Sequence, residues 1–254
     1  MSVARLLATA LLLLLQGGGL AIAVASTSDE VAIVDSEDST VWVARYRVFY
    51  GEREIGSAER HYRLTASGYK VTSRMQPSAW ARIFGRGVVE QSSSGRWSVD
   101  GKPQPDQYSY LLRKEDEQPQ EFQFDYARGV LTVSGRSLSL PLSTQDELSQ
   151  LLLLRTNLEG AQRFWSVPVV SGSKQRIYEH RFQLIGEHEL VWELQSGEIL
   201  RRVQEVELTT SRNKYRTLFW LAAEIGHLPL KIERQHLRKD ELLTLKLESL
   251  DVSR

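Results

Sequence analysis

From residue 41 onward the chain alternates. Trp42, Ala44, Tyr46, Val48 and Tyr50 fall on one side of an extended segment, Arg45 and Arg47 on the other, the period-2 signature of a strand with one buried face. A turn at 51–54 leads to a second strand over 55–65, and Gly68 opens a third over 69–75. Further strand-and-turn units follow: 88–94 and 96–99 either side of Gly95, then an Asp100-Gly101 turn of the kind that favours positive φ at Gly. Pro103 and Pro105 keep the next stretch extended, and 108–112 reads as a strand. Segment 121–126 puts Phe122, Phe124 and Tyr126 on one side, and the 127–129 turn leads to 130–133. After Gly172 the pattern predicts strands over 175–185 and 190–194 joined near Gly186, then 199–209, 215–223, a turn at 226–229, and a last hairpin of 230–236 and 242–250.

One segment departs from this period. Residues 143–147 open a helix reaching about Leu158, with Thr144 and Glu147 spaced for a capping box and Gly160 as the stop. Leu148, Leu151, Leu152, Leu153, Leu154 and Leu158 make a wide apolar face. At about 2 kcal/mol per buried leucine, such a helix belongs inside the fold, against a sheet.

The N-terminus obeys another pattern. Arg5 is the sole charge before Asp29, an apolar run spans 6–15, Gly17 to Gly19 break it, and Ala23-Val24-Ala25 ends on small residues. This is the layout of a signal peptide cleaved after Ala25. The run is too short for a membrane span, which needs roughly 20 apolar residues. The expected organisation is a signal peptide at 1–25, a polar, acidic leader at 26–40 and a single β-rich domain at 41–254, periplasmic and without a transmembrane segment in the mature chain. Cleavage leaves Lys and Arg one short of Asp and Glu, a balance that argues against nucleic acid as a partner. With no cysteine, disulfides, thiolate metal sites and thiol nucleophiles are excluded.

Candidate chemistry is sparse. Gly85-Arg86-Gly87-Val88-Val89-Glu90 lacks the third glycine of a dinucleotide loop and precedes a strand. His188-Glu189-Leu190-Val191-Trp192 has Trp where a zinc-protease helix needs its second His. The five histidines show no ligand spacing, so no metal and no cofactor are expected. Asp125, before a turn, and Asp146, at the helix start, read either as an acid pair in a cleft or as turn and cap chemistry. Aromatic residues at strand positions, six Trp, nine Tyr and seven Phe in all, either line a ligand cavity or fill a core.

Six short segments, in order, resemble one known family: residues 46–56, Phe124-Asp125, Gln145-Asp146-Glu147-Leu148-Ser149, Gly197-Glu198, residues 217–222 and residues 228–233. They are similar to DUF3108, a domain family of exported Gram-negative proteins with no established activity. The resemblance implies a mainly β fold, a curved antiparallel sheet or incomplete barrel wrapped around one buried helix, like that of periplasmic lipoprotein carriers. The expected function is non-enzymatic: binding of an apolar or amphipathic ligand, or of an envelope protein partner, with Tyr46, Phe124, Asp125, Tyr126, Gln145 and Trp220 at the site. The alternatives are a scaffolding protein of the envelope and a glycan-acting hydrolase using Asp125 or Asp146.

Overall fold

The computed structural model describes residues 39–79, 81, 87–113, 117–197, 199–210 and 214–253. The expected signal peptide, and all but the last residues of the leader, lie outside the described residues, as do Gly85, Arg86 and Glu198.

The chain first runs as a meander: β1 (Thr40–Tyr50), β2 (Arg53–Leu64), β3 (Gly68–Pro77), β4 (Val88–Trp97), β5 (Pro103–Arg113), β6 (Gln120–Asp125), β7 (Val130–Val133) and β8 (Arg136–Ser139). A two-residue strand β9 (Gln145–Asp146) leads into helix α1 (Ser149–Glu159). A second meander returns through β10 (Phe164–Ser171), β11 (Arg176–Glu193), β12 (Ile199–Thr210), β13 (Tyr215–Ala222), β14 (Leu228–His236) and β15 (Leu242–Ser253). All belong to one 15-stranded sheet in the order β8-β7-β6-β5-β4-β3-β2-β1-β15-β14-β13-β12-β11-β10-β9. β1 and β15 pair in its middle, and its margins, β8 and β9, do not pair with each other. The result is the expected open, curved sheet around one helix, antiparallel throughout except for β9 with β10.

Alternation decides which face goes inward. Ala44, Tyr46 and Val48 are buried while Arg45 and Arg47 face out, Arg45 pairing with Glu59 and Asp251 on the neighbouring strands. The inner face of the second meander is apolar, with Val167 and Val169 from β10, Phe182 and Leu184 from β11, Val206 and Leu208 from β12, Phe219 and Leu221 from β13, Leu230 and Ile232 from β14, and Leu245 and Leu247 from β15. On α1, Leu152, Leu153, Leu154 and Leu158 join this core, as does Leu148 just before it; Leu151 is only half-buried.

Several expected boundaries are corrected. Gly95 is not a turn but a bulge inside the continuous β4, where the register shifts between Ser94 and Gly95. A Cβ there would lie 2.2 Å from the Gln104 carbonyl oxygen, so only glycine fits so close to β5. Gly186 likewise sits at a register shift within the single long strand β11. β5 begins at Pro103, earlier than expected, and β10, absent from the sequence reading, contains Pro168. β10 pairs along its length with β11 but meets β9 only at Val169 and Val170, so Pro168 sits on a strand with little to donate to on that side.

Candidate functional site

The helix enters the sheet through residues 144–150, and polar chemistry concentrates there. Because α1 is buried, its first-turn N–H groups need partners from the chain itself. The Asp146 carboxylate accepts the N–H groups of Leu148 (2.8 Å) and Ser149 (2.9 Å), and Ser149 Oγ accepts the N–H of Asp146 (2.9 Å). This reciprocal cap replaces the expected Thr144–Glu147 box. The helix starts later than predicted because Gln145 and Asp146 are committed to β10, and the Thr144 hydroxyl donates instead to the Pro141 carbonyl (2.6 Å). Asp146 also accepts a 2.6 Å bond from Ser93 Oγ on β4 and is fully buried. Burial pushes its carboxyl up to about 6, against the opposing pull of those hydrogen bonds.

Glu147 joins the two halves of the sheet. One carboxylate oxygen accepts from Tyr108 Oη (2.8 Å, β5) and Gln91 Nε2 (2.9 Å, β4), the other from Ser171 Oγ (3.1 Å, β10). Gln145 Nε2 donates to the Pro103 carbonyl (2.9 Å) and Tyr126 Oη to the Thr144 carbonyl (2.7 Å). Just after β10, Gly172 presses on β5, where a Cβ would lie 2.5 Å from Tyr110 Cβ and 2.7 Å from Tyr108 Oη. β9 thus meets β5 through side chains and not through a backbone ladder, and β6 to β8 extend past this seam. His180 on β11 completes the polar strip, its Nδ1 2.8 Å from Gln150 Oε1. Burial, with the nearby Arg234 charge, lowers its pKa to about 4.

Across the first meander the inner surface is built in rows. Trp42, Tyr62, Val71, Ser93, Tyr108 and Phe122 are directly opposed from β1 to β6. One step along lies a more polar row: Ala44, Arg60, Ser73, Gln91, Tyr110 and Gln120. The next is Tyr46, Ala58, Met75, Val89 and Leu112. Residues opposed across a ladder share a face, so Arg60 faces inward with Ala44. Arg60, Met75, Val89 and Gln91 are nonetheless only half-buried. Solvent therefore reaches the inner surface of β2 to β4.

The seam lies within the range matched by a family model: DUF3108, protein of unknown function, matches residues 45–237. The chain belongs to DUF3108. No curated protein matches it. Among solved structures, this DUF3108 chain is similar to a beta-barrel-like protein of domain of unknown function DUF1849 from Brucella abortus, at 15% identity over 85% of this chain and 98% of that one, with a TM-score of 0.58. A candidate outer membrane lipoprotein-sorting protein domain from Vibrio parahaemolyticus aligns over 86% of this chain and 87% of its own at 10% identity and a TM-score of 0.21. The first shares the fold.

The expected site residues do not form one cluster in this DUF3108 protein. Phe124 stacks on Tyr126, ring centroids 6.1 Å apart, and Tyr126 reaches the seam through its bond to the Thr144 carbonyl, next to Gln145 in the chain. Tyr46 is fully buried in the adjoining wall and donates to the Pro229 carbonyl (3.0 Å). Trp220 is half-buried and points away from the face that buries Phe219 and Leu221, with Lys231 Nζ 4.0 Å from its ring centroid; strand alternation keeps it off the concave wall where the aromatic pattern put it. Asp125 accepts the Arg128 N–H (2.9 Å) in a turn and is only half-buried, whereas Asp146 is fully buried, and among the described residues they share no hydrogen-bond partner. His188 is exposed on β11, 3.0 Å from Glu205. The sequence reading missed Glu147 and Arg60. Arg60 had a local signal, a charged residue in step with Ala58 and Tyr62 on the inner face of β2.

Proposed function

We propose that this protein works outside the cytoplasm as a non-enzymatic binder of an amphipathic ligand, held on the inner surface of β2 to β4. The observation that carries this reading is the half-buried inner strip Arg60, Met75, Val89 and Gln91, polar and apolar side by side. Small-molecule sites are concave and mostly apolar, with a few convergent polar groups. Asp146 and Glu147 are held by hydrogen-bond partners within the chain, which supports a role in closing the sheet. The N-terminal residues support export, and among the described residues no helix is long and apolar enough to cross a membrane.

Organic extraction of the protein purified from its native envelope, followed by mass spectrometry, is the test, with Met75→Trp as the control that fills the strip. A stoichiometric amphipathic species in the wild type and its loss in a Met75→Trp variant of unchanged melting temperature are expected. An extract free of such species, together with no binding of added long-chain alcohols or fatty acids, would leave scaffolding as the better reading.

A further inference from the structure

The strip contains a cation with no carboxylate partner among the described residues, its guanidinium near the neutral hydroxyls of Tyr46 and Tyr62. Arg60 lies with its guanidinium carbon 5.3 Å from the Tyr46 ring centroid, a cation–π contact. Its Nε and Nη1 atoms are buried without a hydrogen-bond partner among the described residues. Two residues along the same strand face, Tyr62 is 2% exposed and its hydroxyl is also unpartnered. The Tyr110 hydroxyl and Gln120 Oε1, further along the Arg60 row, share that condition. A ring face and nearby phenol oxygens are weaker partners for a guanidinium than a carboxylate or phosphate, and buried donors left without full acceptors are unfavourable. Outward arginines on the neighbouring strands are treated differently: Arg45 and Arg47 on β1 and Arg74 on β3 all reach carboxylates. The inner face of β2 offers an arginine and a phenol as donors, and the solvent-open strip beside them leads to Met75 and Val89.

We propose that Arg60 and the Tyr62 hydroxyl bind the anionic oxygen group, carboxylate or phosphate, of an amphipathic ligand whose apolar part runs along Met75 and Val89. This rests on the ligand-binding reading above and adds the head-group charge and the ligand's orientation. The guanidinium presents several N–H donors in a planar fork, suited to a two-oxygen acceptor. Burial raises the Tyr62 phenol above its ordinary range, so the hydroxyl keeps the proton it donates. Glu147, the nearest acid of the seam to the Arg60 row, is held by Tyr108, Gln91 and Ser171, which leaves the guanidinium to the ligand.

The test measures binding of three probes to the purified protein: oleate and oleyl alcohol below their aggregation concentrations, and inorganic phosphate alone. The variants are Arg60→Met, Arg60→Lys and Tyr62→Phe. Arg60→Met is expected to weaken oleate about 10- to 100-fold, the factor of a charge-assisted hydrogen bond, to leave oleyl alcohol unchanged, and to melt no lower than the wild type. Arg60→Lys recovers part of the oleate affinity; Tyr62→Phe loses a smaller factor and carries the test if Arg60→Met is not produced folded. Unchanged oleate affinity in Arg60→Met, or in Tyr62→Phe where only that variant is available, overturns the head-group assignment while the ligand-binding reading stands. Saturation by phosphate with no oleate or alcohol binding overturns the amphipathic ligand and leaves a free-anion site. No binding of any probe to the wild type overturns both.

Discussion

Asp146→Asn should change how stability depends on pH more than how large it is. The folded carboxyl titrates near 6, raised from an ordinary 3.8 by burial. As pH falls, the folded chain takes up this proton from about pH 6, the unfolded chain only near pH 4. The group's contribution to stability is therefore full below the unfolded pKa and is lost as pH rises through the folded one. Two pKa units correspond to about 3 kcal/mol. Asparagine is close to isosteric: its oxygen still accepts the N–H groups of Leu148 and Ser149, and Ser93 can turn its hydroxyl to accept from the amide. The variant carries no titration here. Denaturant midpoints measured at steps from pH 3.5 to 7.5 for both proteins give a difference curve in which every other group cancels, including His180. That histidine works in the opposite sense. Its pKa of about 4 lies below the ordinary 6.5, so its contribution is lost as pH falls, and the wild type alone can look flat. The difference curve should move by about 2 kcal/mol in favour of Asp146→Asn between pH 4 and pH 7, most of the full span. A curve flat within about 0.5 kcal/mol, or one of opposite slope, would mean that the helix N–H groups and Ser93 stabilise the charge enough to outweigh burial, and would refute the reasoning.

Three further outcomes are expected. Leu152→Asp, at a position 3% exposed in the core, should prevent folding, since an unpaired buried charge costs several kcal/mol, whereas half-buried Leu151→Asp should be secreted with a lowered melting temperature; normal melting of the Leu152 variant would remove the helix from the core. Gly172→Ala should lose about 1–3 kcal/mol by forcing a methyl against Tyr110 at the seam, read as a shift in denaturant midpoint with unchanged slope. Intact mass of the exported protein should correspond to a chain starting at Ser26; a membrane-bound species retaining residues 1–25 would show that this segment is an anchor and not a cleaved signal peptide.

What the sequence revealed and what it hid follow from the range of the forces involved. β1 was legible because one of its faces meets the core and the other meets water, so alternation is written into adjacent residues. The helix was legible from its leucines and Gly160. Gly95 and Gly186 misled because glycine serves turns and bulges equally, and only the facing strand decides between them. Glu147 resembles an ordinary first-turn acid; its partners on β4, β5 and β10 are brought to it by the fold. Trp220 and Phe219 are neighbours of similar character, and the bulge beside Trp220, where the register with β14 shifts, is invisible in composition. The order of strands is also nonlocal: no segment announces that the first and last strands are partners.

That pairing has a consequence for how the molecule is made. Arg45 and Asp251, bonded across β1 and β15, stand 206 positions apart in the chain. On a ribosome, or threading through any narrow channel from its N-terminus, β1 emerges early and has only β2 beside it until β15 follows. The central ladder is thus the last to close, and until then the two meanders are joined only by the side-chain seam around Glu147 and not by a backbone ladder. Contacts of such long sequence separation make folding slow. A chain halted anywhere before β15 lacks the strand that joins its halves, so incomplete products should be open and protease-sensitive, not slightly destabilised versions of the whole.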